Sequence, residues 1–429
     1  MIRLKRAIIK SFPPGMVLNE VIRGMVTALE EARRSGHQSP PRPGSDIDTA
    51  LEQKGEGACS EPLDSELIRA ISWNDIFRAR RPYTIGIDGG SRRLETPYGS
   101  FAMAAVCVCH ENILMMDYPP LLRARRVTRL VPFIAAQSHL DVPPNFFIKQ
   151  SPAQHPYDET YKIADVAHEI RTELETFALD ELVPEALKLF GMNPRDVLVI
   201  LDGPLYQTVW RYIEWVPNLK DDWVVLTRRR VRAIDKLINE YGIPIVASVK
   251  RLDKSKYLLA CGARGPHGLI ENILGVKIPR QSNDQAEAYA MAEAFIGVRR
   301  LIGLVPIVIG PFKIAASAMV PPEVKAPDRA YVYAIVPKAL WPPSHVDIIS
   351  TVFRLETTLE LYEQIGFDIF LMALADTGYT FGHPCSQAWA DHYSKRLCTN
   401  IYKQACGAIL TQGLSLSYDT LVAYLGVIS

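Results

Sequence analysis

Two aspartates, each following a short apolar run, are the residues of this chain best suited to chemistry. Tyr83-Thr84-Ile85-Gly86-Ile87 leads into Asp88-Gly89-Gly90-Ser91, and Val197-Leu198-Val199-Ile200-Leu201 leads into Asp202-Gly203-Pro204-Leu205. An apolar run of strand length bounded by glycine reads as a buried strand, so each acid is expected at a strand's carboxyl end, where open α/β sheets meet ligands. If the strands are neighbours, ~4.8 Å apart, their carboxylates can share one or two divalent cations ~4 Å apart, as in-line phosphoryl displacement requires. The competing reading is that each Asp-Gly is only a turn.

Cationic side chains accompany the acids. Lys250 ends a further apolar strand, Ile243 to Val249, and is placed to steady charge on phosphoryl oxygens, with Lys254 and Lys256 holding a backbone further along. Arg123, Arg125, Arg126 and Arg129 fall close together and can track a phosphate backbone, or form a solvated face or subunit contact. Arg228, Arg229 and Arg230, with Arg232, lie on a predicted helix over Val225 to Tyr241, where three consecutive side chains cannot share one face.

The elements that must position these groups follow from periodicity. Tyr83 to Ile87, Tyr98 to Cys109 and Asn112 to Met116 read as an antiparallel meander with a turn at Glu111-Asn112. A helical pattern over Asp158 to Phe190, broken at Pro184, leads to the Asp202 strand, and the 225–241 helix leads to the Ile243–Val249 strand. Three antiparallel strands, helix, strand, helix, strand is the connectivity of a ribonuclease-H-like mixed sheet flanked by helices, in which the first and fourth strands are neighbours. Beyond it, Asp284 to Leu301 is predicted helical, Val305 to Ile309, Tyr331 to Val336, Val346 to Leu355 and Ile369 to Leu374 as strands, and about Ser386 to Leu410 as a terminal helix. This half extends the sheet or forms a second lobe on it.

Met16 to Arg34 carries Val17, Val21, Ile22, Met25, Val26 and Leu29 at helical spacing, before a Gly-, Pro- and Ser-rich stretch from Ser35 to Glu61. The reading is therefore an N-terminal helix and flexible linker over residues 1–62, followed by one domain over 63–429, with its core at about 83–260 and an extension at about 284–429. The helix is read as a tethered arm for a partner or a second copy of the chain.

Composition bounds the function. With 48 Lys plus Arg against 47 Asp plus Glu in 429 residues, a nucleic-acid surface must be a local patch, not a global field. Seven cysteines without a CxxC pair argue against a disulfide framework and a zinc ribbon, and point to the reducing cytosol. Met1 to Arg6 has no apolar h-region after it, and Pro306, Pro311 and Lys313 interrupt the apolar stretch Leu301 to Val320, so neither a secretory signal nor a membrane span is expected. Two core strands and a turn are expected in the latter.

Taken in order, Ile87-Asp88-Gly89-Gly90-Ser91, Leu201-Asp202-Gly203-Pro204-Leu205, Ser248-Val249-Lys250-Arg251 and Arg354-Leu355-Glu356 resemble the NurA family of DNA-end nucleases, over roughly Tyr83 to Ile401. The resemblance implies a ribonuclease-H-like, PIWI-like fold with helical N- and C-terminal extensions. It also implies 5′–3′ exonuclease and single-strand endonuclease activity with Mn²⁺ or Mg²⁺, acting in end resection beside a HerA-type hexameric ATPase, and a homodimer in the cytoplasm. Carried over, its catalytic residues are Asp88, Asp202, Glu175, His392 and Lys250, with Asp88, Asp202 and His392 on the metal and Arg123, Arg125, Arg126, Arg251, Lys254 and Lys256 on DNA. Glu169, Glu173 and Glu181 stay open as the helix acid, and His383 as the histidine, since Asp391 intrudes in the expected Ala-His pair. Glu356 is better explained as an acid capping a helix N-terminus than as a catalytic group.

Three other readings compete. Gly86 to Ser91 resembles the first phosphate loop of sugar kinases, although Pro204 stands where a phosphate loop wants an amide donor. Glu323-Val324-Lys325 matches the acid-x-lysine of a restriction-like nuclease but lies among prolines, which suits a loop. A non-catalytic partner of an ATPase ring is the third alternative.

Overall fold

Asp88 does not end its strand: the strand continues to Thr96, and it is the neighbouring strand that stops beside the acid. The computed structural model describes residues 14–36, 59–121, 131–144, 146–209, 217–301, 305–338, 349–377 and 382–428. Arg123, Arg125, Arg126 and Arg129, and most of the 35–61 stretch, lie outside them.

The described strands are β1 (Glu61–Pro62), β2 (Ile68–Ala70), β3 (Tyr83–Thr96), β4 (Gly99–His110), β5 (Ile113–Tyr118), β6 (Ile134–Ala136), β7 (Phe147–Ile148), β8 (Val197–Asp202), β9 (Ile245–Val249), β10 (Ile307–Ile314), β11 (Arg329–Lys338) and β12 (Ile349–Thr358). All twelve join one sheet, in the order β1-β10-β11-β12-β9-β8-β3-β4-β6-β7, with β2 on β10 and β5 on β4. Within it, β5-β4-β3-β8-β9 is the ribonuclease-H-like order: β3 runs antiparallel to β4, and β3, β8 and β9 run parallel. The C-terminal half is an extension of this sheet, since β12 pairs antiparallel with β9 and hands on to β11 and β10.

Parallel pairing of β3 with β8 runs from Tyr83↔Val197 to Ile87↔Leu201 and stops there. Side chains alternate across a sheet. Ile85 and Ile87 enter the same core as Val199 and Leu201, against helices Ile163–Phe177 and Pro217–Asn239, while Leu198 and Ile200 enter a second core with helix Asp368–Ala375. Gly86, Asp88 and Gly90 share the face covered by the long helix Cys385–Thr411. A Cβ on Gly86 would stand 2.2 Å from the Ser386 carbonyl carbon, and one on Gly90 would stand 2.9 Å from the Ser394 carbonyl oxygen. Glycine at both positions lets strand and helix touch backbone to backbone.

The first turn of that helix is fixed by Asp376. Its carboxylate accepts hydrogen bonds from the Ser386 amide at 2.9 Å and the Ser386 hydroxyl at 3.1 Å, and its backbone carbonyl accepts one from the Cys385 amide. Burial pushes the Asp376 carboxyl up to about 7, against the pull of the Ser386 donors.

Several expectations are corrected. Ile369 to Leu374 is helical, because an apolar run buried all round has no periodicity to distinguish it from a strand. Leu301 to Val320 supplies one strand, β10, and no helix among the described residues is long and apolar enough to cross a membrane. A last helix, Tyr418–Ile428, was not read from the sequence. Cys59 and Cys261 form a disulfide across 202 residues, so the cysteine pattern no longer speaks for a reducing compartment. The helix Pro14–Arg34 buries Leu18, Val21, Met25, Ala28, Leu29 and Ala32 in the chain's own core, so that apolar face is not left for a partner.

Replacing Gly86 with Ala is expected to destabilise the fold by about 1–3 kcal/mol or more, the range for overpacking a filled interior. Thermal denaturation checks this, and an unchanged melting temperature would show that helix and strand are not in backbone contact.

Candidate active site

Asp88 and Asp202 meet at the end of β8, on one face of the sheet. Asp88 is 1% exposed. Neither of its carboxylate oxygens has a hydrogen-bond donor among the described residues. Burial, then the neighbouring Asp202 charge, hold its carboxyl well above the usual range, and Lys250 offsets only part of this. Asp202 is more open. Its Oδ1 takes the Lys250 ammonium at 3.1 Å and a hydrogen bond donated by Gln387 Nε2 from the first turn of helix Cys385–Thr411. Burial would lower the Lys250 pKa, but Asp202 and Asp88 outweigh it and the ammonium is held charged.

Asp391 lies one helical turn after Gln387, close enough to Asp88 for each carboxyl to act on the other's titration. Burial would raise the Asp391 carboxyl, yet the Lys395 ammonium at 2.7 Å keeps it below the usual range. His392, the next residue round the helix, is exposed and packs its ring against Trp389 and Tyr393. The structure thus turns Asp391 toward the acid pair, in the place where the sequence expected His392. His383 packs its ring against Phe353.

Glu175 approaches β3 from the opposite side of the sheet, under Gly89, where a Cβ would stand 3.0 Å from its Oε1. Its Oε2 accepts a 3.0 Å hydrogen bond from the buried Arg230, and Arg171 lies 3.7 Å from its Oε1. The structure therefore commits Glu175 to a buried ion pair across the strand from Asp88. Glu173 pairs with Arg229 at 2.6 Å, and Glu181 lies in the turn Ala178–Leu182. Glu169 is buried and accepts a 3.1 Å hydrogen bond from Tyr157. Burial, then the charge of Asp222, push its carboxyl up to about 9.

Arg251, Lys254 and Lys256 are exposed on the loop that follows Lys250, while Leu252, Ser255 and Tyr257 between them are buried. What holds this loop is a polar network under the sheet extension. Asp284, fully buried, accepts from the Tyr257 amide at 2.9 Å, the Leu258 amide at 2.8 Å and the Ser255 hydroxyl. Arg354 donates to Ser255 Oγ at 2.8 Å and to Glu356 Oε1 at 2.8 Å. Glu356 Oε2 accepts from Arg329 at 2.8 Å and from the Leu205 amide at 3.0 Å, in the loop after Asp202. Glu356 is thus not a helix cap, a role Thr358 takes, but the centre of a network that fixes the loops following both Asp202 and Lys250. Glu323-Val324-Lys325 overlaps the 3₁₀ turn Pro322–Val324. It borders a cleft of about 570 Å³ shared with Arg228 and Arg232, which Asp88 and Asp202 do not line.

Among the described residues no three His, Cys, Asp or Glu side chains form a ready metal cage. A buried carboxylate without donors beside a second carboxylate nevertheless fits a hard divalent cation, of the kind that takes one or two protein carboxylates and completes its shell with water and phosphate oxygens.

No protein-family model matches the sequence, and no curated protein matches it. Among solved structures, the NurA nuclease from Sulfolobus solfataricus is 11% identical, over 96% of this chain and 98% of that one, with a TM-score of 0.38. A NurA structure with manganese is 8% identical, over 79% and 93%, with a TM-score of 0.37, and another NurA structure is 8% identical, over 74% and 87%, with a TM-score of 0.35.

Glu169 gives a pH signature separable from the acid pair. Its folded pKa of about 9 lies above the unfolded value, so the native state binds the extra proton. Its stabilising contribution is complete below the unfolded pKa, near 4.3, and is lost as pH rises through about 9. Glu169→Gln, which mimics the protonated form, should flatten the fall of melting temperature between pH 5 and pH 9. Parallel curves for the variant and the natural chain would show that Glu169 does not titrate in that window.

Proposed function

We propose that the chain is a metal-dependent nuclease that hydrolyses DNA phosphodiesters at the Asp88–Asp202 pair. The observation that carries this reading is the pair itself: two carboxylates on one sheet face at the end of β8, one of them buried with no donor among the described residues, with the Lys250 ammonium alongside. The finer reading rests on the ordered motifs that resemble the NurA family. It is 5′–3′ exonuclease and single-strand endonuclease action in DNA end resection, with a HerA-type hexameric ATPase as partner, as a homodimer in the cytosol.

Mn²⁺ or Mg²⁺, when bound, supplies Lewis-acid polarisation of the scissile phosphate. Asp88 and Asp202 would hold it. To hold it, Asp88 would have to be ionised, against the burial and the Asp202 charge that raise its pKa. Lys250, resting on Asp202 Oδ1, is within reach of a phosphate brought to the pair and can take its developing negative charge. Helix Cys385–Thr411, lying on Gly86 and Gly90, keeps bulk water from the inner side of Asp88. The exposed Arg251, Lys254 and Lys256 extend the positive surface along the strand to be cut.

Asp88→Asn and Asp202→Asn are each expected to lower Mn²⁺-dependent cleavage of linear DNA to less than about a hundredth, beyond the 10–100-fold typical of outer-shell partners. Asp88→Asn should melt no lower than the natural chain, because it removes a buried carboxylate that has no donor among the described residues. Assays on linear and circular DNA with Mn²⁺ titrated in decide the matter. Retained cleavage in both variants, ADP released with a sugar, or no cleavage by the natural chain would overturn the reading.

A further inference from the structure

We infer that Gln387 is a positioning residue for the cation site, fixing which oxygen of Asp202 is presented to the metal; this rests on the function proposed above. Gln387 is completely buried in the first turn of helix Cys385–Thr411. Its Nε2 donates to Asp202 Oδ1 on β8 and, at 3.3 Å, to the Ser248 carbonyl on β9. Both amide hydrogens are therefore committed, to two adjacent strands, and the amide plane is set by the sheet. Lys250 Nζ meets the same Asp202 Oδ1. With two donors on Oδ1, the carboxylate cannot rotate freely, and Oδ2 is the oxygen left for a cation.

The surroundings agree with this role. Gln387 Oε1, Ser248 Oγ and both Asp88 oxygens are buried without hydrogen-bond partners among the described residues. Buried oxygens without donors are rare because each carries a desolvation cost, so a group of them marks a place short of hydrogen-bond donors. An amide suits the position for an electrostatic reason. It orients Asp202 without adding another negative charge beside Asp88, Asp202 and Asp391, whereas a glutamate would repel them. Nothing in the sequence singles Gln387 out; the fold does, by laying Ser386 and Gln387 against Gly86.

Two variants of the full-length chain separate positioning from packing. Gln387→Ala removes the side chain, and Gln387→Met keeps its approximate volume while dropping the amide. Mn²⁺ affinity is read from the free-ion signal in electron paramagnetic resonance, alongside melting temperature without metal and the KM against kcat split for DNA. Both variants are expected to weaken Mn²⁺ binding about 10–100-fold, the usual effect of an outer-shell partner. Gln387→Met should keep its metal-free melting temperature and recover kcat at saturating Mn²⁺. Methionine restoring natural Mn²⁺ affinity would assign Gln387 to packing and overturn the inference alone. If the natural chain and Asp202→Asn bind Mn²⁺ equally weakly, the cation site itself is wrong and both readings fall.

Discussion

Backbone contact between β3 and helix Cys385–Thr411, at Gly86 and Gly90, is the constraint on which the rest of this structure depends. It places Asp88, the residue between those glycines on the same face, beneath a helix, 1% exposed and with no donor among the described residues. An ionised carboxylate in that position is costly, and burial with the Asp202 charge holds its pKa well above the usual range. The same contact carries Gln387 and Asp391 to the acid pair from the other end of the sequence.

Glu356 shows that burial alone does not decide the matter. It is as deeply buried as Asp88, yet its carboxyl lies below the usual range: burial would raise it, but Arg329, Arg354 and the Leu205 amide outweigh that. One buried acid has its countercharges built in, and the other has only the partial offset of Lys250. The compensated acid braces the loops after Asp202 and Lys250, so each can present its side chain from a rigid base. The uncompensated one is where a ligand has something to add. Glu175, tied to Arg230 and Arg171, belongs with the first kind.

Much of this was legible in the sequence because local patterns carry it. The apolar runs before Asp88 and Asp202 gave two adjacent parallel strands, and the order of strands and helices gave the sheet's central topology. What stayed hidden depends on contacts between distant residues. Helical register decides that Asp391 and not His392 turns inward, and a shift of one position is invisible without the strand it packs on. Periodicity could not separate helix from strand over Ile369 to Leu374, where every side is buried. The disulfide between Cys59 and Cys261 joins residues that no spacing rule connects, and the arginine partners of Glu175 and Glu356 have no local signature.

Anomalous scattering from crystals of the full chain soaked in Mn²⁺ asks whether the two acids share a cation. A manganese peak is expected between the carboxylates of Asp88 and Asp202, about 2.1 Å from an oxygen of each, in the range for a hard cation of this size. A peak held by other side chains, or none at Mn²⁺ concentrations that support cleavage, would contradict the shared site and leave the buried Asp88 without a chemical purpose.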